Sequence, residues 1–367
     1  MQVNQLTDIV SNLKQAKFKY AKLLAQVILI MLSIGNVTVY KLATCLPGDA
    51  QLSSKEKSIR RMLSQLFNSD TYARFIHYLF QFDKVELVMD RTNWKIGKTY
   101  VNLFILSFIW QGMAILLYWV RLDNKSGNTN SQQRIDMIEW FINKFGAEKI
   151  INLYADREFP SKKFIEYLNK SSVNFIFRIK DTILGTDKRN GKISKCKLRL
   201  IFNILVYGHP HAVQAIRNIL GCNVYATAKR TINDELVILI SNQIHADPLE
   251  LYGRRWHIEI MFNKQKTKGF NLENTHIKNE TRLLSLFTII AICYSYSCLI
   301  GNIREELKPI KYKRIKEIPT KMFGTFRYGL DLIQHILFNR SRKLFNPIIE
   351  CFSLEVKYKL HKKACLI

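Results

Sequence analysis

The eleven residues KIINLYADREF, at positions 149–159, contain the pattern on which the predicted fold depends. Lys149–Ala155 is a short run rich in apolar, β-branched and aromatic residues, which is typical of a β-strand. The run ends on Asp156, and the charged pair Arg157 and Glu158 follows at once. The sequence therefore predicts a strand that carries a carboxylate at its end, with Arg157 and Glu158 supporting that carboxylate.

Strands and helices alternate on both sides of this run. A helical pattern at Ser131–Phe145 precedes it, and a second helical pattern at Pro160–Asn169 and a strand at Val173–Ile179 follow it. Three earlier runs rich in β-branched and aromatic residues predict an antiparallel meander, at Val85–Asp90, Tyr100–Trp110 and Met113–Leu122. Three antiparallel strands followed by helix, strand, helix and strand is the order of an RNase H-like fold. The pattern therefore predicts an α/β layer architecture.

The pattern changes along the chain in a way that predicts five segments. Apolar residues at three- and four-residue intervals predict a helical N-terminal domain, whose basic face is either a solvated surface or a DNA-binding one. Between residues 178 and 199 the chain has eight Lys or Arg and two acids, and this stretch opens a predicted basic, β-rich insertion. The predicted segments are 1–80 for the helical N-terminal domain, 81–180 for the first part of the core, 181–245 for the insertion, 246–300 for two helices and 301–367 for a basic helical C-terminal tail.

The net charge is the most unusual property of the chain. Fifty-six Lys and Arg against 29 Asp and Glu give a formal charge of +27 at pH 7. An excess of that size favours a polyanionic partner, and nucleic acid is the first candidate. The basic residues are spread over several segments and are not gathered in one juxtamembrane cluster, which makes a membrane surface the weaker alternative.

The sequence favours a protein of a reducing, aqueous compartment. Residues 283–300 are 18 uncharged residues and reach the length of a membrane span. Ser, Thr, Tyr and Cys dilute this stretch, which favours a buried core helix. The first residues show no signal-peptide pattern, and the seven scattered cysteines include no C-x-x-C pair, which favours buried thiols over a metal or disulfide framework.

Three acids have the placement that a metal-dependent phosphoryl-transfer site requires. Asp90 ends the first predicted strand, Asp156 ends the fourth, and Glu259 lies on a helix predicted from Pro248 to Lys268. Ligands of an open sheet collect beyond particular strand ends, so the two aspartates are expected to meet there. Carboxylates at close range repel unless a cation neutralises them, and their hard oxygen atoms select Mg²⁺ or Mn²⁺. Taken singly, each acid has an ordinary explanation as a turn former, a helix cap or a solvated side chain.

Four residues of the predicted Glu259 helix share one face. Tyr252, Arg255, Glu259 and Lys266 have offsets of 0, 3, 7 and 14 residues. At about 100° per residue these offsets fall within an arc of about 60°. A Tyr, an Arg, a Glu and a Lys on one stripe do not form a core stripe. They indicate a surface that holds a metal ion and the phosphates around it.

The spacing Tyr252-x2-Arg255-x3-Glu259-x6-Lys266 resembles the Y-R-E-K signature of the IS-four family of bacterial insertion-sequence transposases, which belong to the DDE class. The ADREF context of the second aspartate and the strand-end position of the first also resemble that family. The resemblance covers roughly residues 80–300. It implies an RNase H-like catalytic core interrupted by a β-rich insertion, with a helical N-terminal domain and a helical C-terminal tail.

The same resemblance implies roles for the six residues. The catalytic acids, which would bind two Mg²⁺ ions with Mn²⁺ as a substitute, are Asp90, Asp156 and Glu259. The residues that would contact DNA phosphates near the transposon end are Tyr252, Arg255 and Lys266. These roles suit the side chains, because Arg forks onto phosphate, Lys supplies a point charge and Tyr donates one hydrogen bond.

By resemblance, the protein is expected to bind the terminal inverted repeats of its own element as a homodimer and to cut and paste that element. The expected reaction is hydrolysis to a 3′-hydroxyl followed by strand transfer into target DNA, through a hairpin in several relatives. Some relatives stack a flipped base on a tryptophan of the insertion; this insertion has none, and Tyr207 or Tyr225 is the candidate. The expected location is the bacterial cytoplasm, at the nucleoid. The alternative functions are a structure-specific nuclease on the same fold and a DNA-binding derivative that has lost catalysis.

Overall fold

A computed structural model of the protein describes residues 19–65, 68–96, 99–122, 128–189, 192–203, 205, 215–267, 269–315 and 318–338. The described residues fall into two compact units. The first, called the helical unit below, takes its residues from 1–81, 94–100 and 261–367, and the second, the α/β unit, takes them from 82–93 and 101–260.

The helices are α1 Ala21–Ile34, α2 Val39–Thr44, α3 Leu52–Leu63, α4 Ser69–Phe80, α5 Ser131–Phe145, α6 Lys162–Lys170, α7 Leu198–Ile201, α8 Pro248–Gly253, α9 Trp256–Lys266, α10 Glu280–Leu307 and α11 Thr325–Phe338. The strands are β1 Val85–Ile96, β2 Thr99–Trp110, β3 Met113–Arg121, β4 Ile150–Ala155, β5 Phe175–Ile179, β6 Leu184–Arg189, β7 Lys192–Lys197, β8 Ala215–Ile219, β9 Cys222–Arg230, β10 Leu236–Ser241, β11 Tyr312–Ile315 and β12 Ile318–Lys321.

Within the described part of the chain, ten strands form one mixed sheet in the order β3-β2-β1-β4-β5-β10-β9-β8-β6-β7. β1 runs parallel to β4, and β4 runs parallel to β5. The pairs β2–β3 and β5–β10 are antiparallel. The mixed α/β architecture predicted from the sequence is therefore confirmed, and each of the five predicted core strands and two predicted core helices is present.

The helices α5 and α6 provide the connections between the parallel strands, and local signals explain where they lie. Asn130 and Gln133 form a reciprocal capping box at the start of α5, with side chain to backbone distances of 2.8 and 2.9 Å. Farther along α5, Trp140 stacks on Tyr118 of β3 with ring centroids 3.8 Å apart. Burial of such aromatic faces against the sheet supplies much of the packing energy of the α/β unit.

The basic insertion continues the core sheet. Its last strand, β10, pairs with β5, and β9, β8, β6 and β7 extend the sheet outward from there. Five of the six residues of β10, LVILIS, are apolar, which suits a strand in the interior of a sheet. Within the predicted β-rich insertion, Leu198–Ile201 instead form the short helix α7. Three of these four residues are apolar and only one is β-branched, so period alone does not separate helix from strand.

The described part of the N-terminal segment is helical, as predicted, and consists of α1 to α4. The C-terminal segment differs from the predicted helical tail, because the two-stranded hairpin β11–β12 lies between α10 and α11. In this hairpin Ile315 pairs with Ile318 and Tyr312 with Lys321. β-branched and aromatic residues favour this extended pairing over a helix, and Pro319 would interrupt a helix. The predicted tail beyond residue 338 lies outside the described residues.

The long helix α10 contains the apolar stretch that the sequence analysis assigned to a buried core helix. It is long and apolar enough to cross a membrane, and 94% of its most apolar window is buried within the protein. It packs against α1, α3 and α11 of the same unit. Cys293 and Cys298 on this helix are buried free thiols. Burial against protein on this scale supports a core role for α10.

The crossing of α10 and α11 depends on two glycines. A Cβ atom on Gly301 would lie 2.0 Å from the carbonyl oxygen of Thr325. A Cβ atom on Gly329 would lie 2.0 Å from the carbonyl oxygen of Ser297. Both contacts are with backbone atoms, which cannot rotate away, so any side chain here would push the two helices apart.

We expect Gly301→Ala to destabilise the protein, because the added methyl group overlaps the backbone of α11. Overpacking of this kind costs about 1–3 kcal/mol. Thermal or urea unfolding would measure the loss. Gly324→Ala is the matched control, since a Cβ atom there meets nothing within 4 Å. Equal stabilities for the two variants would contradict the close crossing.

Candidate active site

Asp90 and Asp156 are neighbours because β1 and β4 are parallel neighbours. The last paired residues are Met89 of β1 and Ala155 of β4, and an aspartate directly follows each of them in the sequence. β4 ends at that point, as predicted. β1 continues to Ile96, so the prediction that Asp90 ends its strand was wrong. The reason is that β1 also has β2 as a neighbour, and the hairpin with β2 prolongs the strand beyond the end of β4.

An ion pair joins the chain segments that follow the two aspartates. Arg91 donates from Nε and Nη2 to the two carboxylate oxygens of Glu158, at 3.3 and 3.4 Å. The backbone N–H of Arg91 donates to Oδ1 of Asp90 at 2.7 Å. The backbone N–H of Phe159 donates to the carbonyl of Asp156 at 3.1 Å, which closes the turn after β4. Glu158 therefore pairs with an arginine beside Asp90, and fork geometry of this kind restricts both segments.

A buried arginine of α5 holds the same turn from the other side. Arg134 is 6% exposed and donates from Nη1 to the carbonyl of Phe159 at 2.5 Å. It also donates from Nε to the hydroxyl of Thr129 at 2.8 Å and from Nη2 to the carbonyl of that residue. Arg134 was not predicted from the sequence. It could have been noticed as a charged residue that shares the buried face of a predicted helix with Ile138 and Phe141.

The predicted helix from Pro248 to Lys268 is wrong in one respect, because it is two helices. α8 ends at Gly253 and α9 begins at Trp256. At the joint, the backbone N–H groups of Arg254 and Arg255 bond to carbonyls three residues earlier, at 3.1 and 3.0 Å. Hydrogen bonds to the carbonyl three residues earlier wind the backbone more tightly than an α-helix does. A glycine such as Gly253 also weakens a helix by about 1 kcal/mol relative to alanine.

The Arg255 guanidinium lies among the three acids. Its Nη1 is 3.6 Å from Oδ2 of Asp90, and its Nη2 is 2.5 Å from Oε1 of Glu259. Tyr252 donates its hydroxyl to Oδ1 of Asp156 at 3.4 Å, and the arginine lies 5.8 Å from the centroid of that tyrosine ring. Arg255 is 11% exposed at its side chain. The structure thus brings together five of the six predicted site residues in one half-buried group.

Burial and charge shift the pKa values of this group. Burial raises the pKa of Asp90 from 3.8 to about 6, and the charges of Asp156 and Glu158 add to the rise. The N–H of Arg91 and the charge of Arg255 act in the opposite direction. Burial also raises the pKa of Tyr252. The tyrosine therefore remains a protonated hydrogen-bond donor at neutral pH.

Residues 81–296 match the family described as the transposase DDE domain. The chain belongs to this family. A search of the curated proteins found no match. Among solved structures, the chain is similar to a piggyBac transposase in a synaptic complex with hairpin DNA, determined by cryo-electron microscopy. That match has 11% sequence identity and a TM-score of 0.40 and covers 95% of this chain and 82% of that chain.

Transposases of the DDE class generally use divalent metal ions, and the donor chemistry of the group suits such ions. The described residues contain no group of three His, Cys, Asp or Glu side chains close enough to hold an ion. Instead, Arg255 supplies positive charge between Asp90 and Glu259. Buried carboxylates repel one another unless a cation neutralises them, and the charges of Asp156 and Glu158 add to the rise that burial causes in the pKa of Asp90. The carboxylate oxygens of these acids are therefore suitable ligands for a hard divalent cation.

Lys266 and Tyr225 are the remaining predicted residues that the structure describes. Lys266 ends α9 among residues of the helical unit, where its ammonium lies 5.5 Å from the centroid of the Phe262 ring. Its role at phosphate stays a prediction. Tyr225 pairs with Ser241 in the ladder between β9 and β10 and is half-buried. Tyr207 lies outside the described residues.

We expect Asp90→Asn to stabilise the metal-free transposase at neutral pH. Between about pH 4 and about pH 6 the native protein retains a proton that the unfolded chain has lost, so wild-type stability falls as the pH rises through this window. The asparagine cannot ionise and avoids this loss, which is about 3 kcal/mol. Urea unfolding with a chelator, at pH values from about 4.5 to 7.5, would measure the difference. Asp83→Asn is the control, because that side chain is 87% exposed; an equal gain there would contradict the explanation.

Proposed function

We propose that this transposase binds the terminal inverted repeats of its own insertion sequence and moves the element by metal-dependent DNA cleavage and strand transfer. The observation that carries the proposal is the convergence of Asp90, Asp156 and Glu259 around Arg255. A protein that only bound DNA would have no use for three half-buried carboxylates around one arginine. A phosphodiester-cleaving enzyme needs them.

We assign Asp90, Asp156 and Glu259 as the residues that hold the divalent ions, Mg²⁺ or Mn²⁺. When bound, such ions activate an attacking oxygen and stabilise the departing one in an in-line displacement. Burial raises the pKa of Asp90 to about 6, so a metal ion that binds there would have to displace its proton below that pH. In the protein alone, Arg255 donates from Nη2 to Oε1 of Glu259 at 2.5 Å.

Tyr252, Arg255 and Lys266 are proposed to bind phosphates near the transposon end. Arg255 has a planar fork that carboxylates now occupy, and a phosphate offers the same pairs of oxygen atoms. If the Arg255 guanidinium moved from these carboxylates to a DNA phosphate, Asp90 and Glu259 would be free to bind cations. Tyr252 can supply one hydrogen bond from a hydroxyl that stays protonated. The IS-four assignment rests on the spacing of these residues.

The topology supports an RNase H-like core. The order β3-β2-β1-β4-β5, with β1, β4 and β5 parallel and helices between β3 and β4 and between β4 and β5, is the order expected for that fold. The strands β6 to β10 would then be the β-rich insertion ahead of the Glu259 helix. This arrangement separates the third acid from the first two by a large stretch of sequence, as the proposal requires.

DNA is the proposed partner, both as transposon ends and as target. The net charge of +27 supports it, because each phosphate neutralised by Lys or Arg releases condensed counterions. A homodimer is proposed because two ends must be handled together. The proposed location is the nucleoid in the bacterial cytoplasm.

We expect Asp90→Asn, Asp156→Asn and Glu259→Gln each to reduce end cleavage by about 10²–10³-fold, the range found for groups that stabilise charge in the transition state. Each change removes a negative charge and keeps the shape of the side chain, so DNA binding should stay within a few-fold. The assay follows Mg²⁺- or Mn²⁺-dependent nicking of a DNA fragment that carries the sequence flanking this gene, and gel shift measures binding.

Asp83→Asn, at an exposed position of the same unit, is the control and should cleave like wild type. Cleavage without joining to target DNA would favour the structure-specific nuclease. Tight binding without cleavage by the wild type would favour a binding-only derivative. Loss of folding and binding in all three variants would refute the catalytic assignment.

We expect Arg255→Ala and Lys266→Ala to weaken binding of the transposon end and to lower its salt dependence, by about one unit in the slope for each lost phosphate contact. Fluorescence anisotropy at several salt concentrations would measure the slopes. Lys163→Ala on α6, whose ammonium donates to Gln132, is a control for the loss of one surface charge. Slopes equal to that of the control would mean that neither residue contacts phosphate.

A further inference from the structure

A second polar cluster, apart from the carboxylates, lies within the α/β unit. Glu86 of β1 accepts two hydrogen bonds at the same oxygen, Oε1. One comes from the hydroxyl of Tyr154 on β4, at 2.6 Å, and the other from Nη1 of Arg254, at 2.7 Å. The Glu86 side chain is 12% exposed and that of Arg254 is 40% exposed, so the carboxylate is the shielded member of this ion pair. The proposed reaction uses none of these three residues.

Each member of the cluster is a short step along the chain from a residue of the candidate active site. Glu86 lies four residues before Asp90 on β1. Tyr154 lies two residues before Asp156, at the end of β4. Even separations along a strand keep side chains on the same face of a sheet. The cluster and the two aspartates therefore lie on one face.

The third member belongs to the joint between α8 and α9. Arg254 directly precedes Arg255, and Glu259 follows five residues later on α9. The joint is wound by three-residue hydrogen bonds. An ion pair at Arg254 therefore supplies a direct bond between this joint and the strand that carries Asp90.

We propose that Glu86, Tyr154 and Arg254 form a positioning network that sets Glu259 relative to Asp90 and Asp156. The inference rests on the proposed function, because it takes the three acids as metal ligands. The network acts through the backbone: it holds the start of α9 on β1 and β4, and the start of α9 carries Glu259.

The strength of the contacts supports this role. Hydrogen bonds between ionised partners are about twice as strong as neutral ones. Removal of Arg254 would leave the buried carboxylate of Glu86 without its counter-charge, which is costly in a shielded site. The hydrogen bond to Glu86 is the largest cause of the raised pKa of Arg254, and burial raises the pKa of Tyr154. Both donors therefore hold their protons at neutral pH.

Arg254 also has a second carboxylate partner that provides a contrast. Its Nη2 lies 3.9 Å from Oε1 of Glu250, one turn earlier in α8, and Glu250 is 72% exposed at its side chain. Exposed pairs at this distance contribute about 0–1 kcal/mol. If Arg254 acts only by charge at the surface, both partners matter equally. If it acts by holding the joint, only Glu86 matters.

The test measures Mn²⁺ binding to the full-length protein by electron paramagnetic resonance, which does not depend on cleavage. We expect Arg254→Ala and Glu86→Gln each to weaken Mn²⁺ binding about 10–100-fold, in the range found for groups that orient metal ligands. The double variant should be no weaker than the worse single variant, because both changes break one contact. Tyr154→Phe should give a smaller loss. Arg254→Lys, which retains the charge, should restore part of the affinity, and Glu250→Gln should bind Mn²⁺ like wild type.

Gel shift on end DNA and thermal unfolding accompany each variant. Affinity for DNA within a few-fold of wild type, together with the loss of Mn²⁺ affinity, supports a positioning role. Unchanged Mn²⁺ binding in Glu86→Gln, the most conservative change, would overturn the inference, as would an equal loss in Glu250→Gln. Absence of Mn²⁺ binding to the wild type would overturn it as well. If wild type binds Mn²⁺ but cleaves no end, the proposed function fails, and the variant affinities still decide this inference.

Discussion

The parallel pairing of β1 with β4 is the constraint on which the candidate active site depends. It ends at Met89 and Ala155, so the next residue of each strand is an aspartate. No local signal around either residue could bring them together, because 66 positions separate them in the chain. The same pairing places Glu86 and Tyr154 on the face that carries the aspartates, and it brings Arg91 to Glu158. One register of two strands therefore organises both the acids and the groups that hold them.

Charge balance is the second constraint. Three acids share the guanidinium of Arg255, and burial still raises the pKa of Asp90 to about 6. Carboxylates buried near one another lower the stability of the folded protein. Such a loss of stability is common at sites where activity and stability compete. The neighbouring carboxylates of Glu158 and Glu86 each pair with an arginine, Arg91 and Arg254. The charge of Glu158 nevertheless contributes to the raised pKa of Asp90.

Much of the fold could be predicted from the sequence, because its elements have clear periods. α5 was predicted with its observed bounds, Ser131–Phe145, from its helical pattern of apolar residues. The spacing of Tyr252, Arg255 and Glu259 identified the helix region that completes the candidate site. The break at Gly253 and the hairpin after α10 were missed. The break was missed because one tightened turn hardly changes the helical spacing of the side chains on either side of it. The hairpin was missed because a charged segment of mixed helix and strand propensity shows neither period clearly.

The sequence by itself determined the order of strands and helices, the basic character of the chain and the residue types of the site, because these depend on periodicity, composition and spacing along the chain. Only the tertiary structure decided that Asp90 lies within a strand and that Arg255 occupies the space among the acids. It also revealed the buried Arg134 and the bonds from Glu86 to Tyr154 and Arg254. These features join residues far apart in the chain, and their energies come from burial and from charges brought together by strand register.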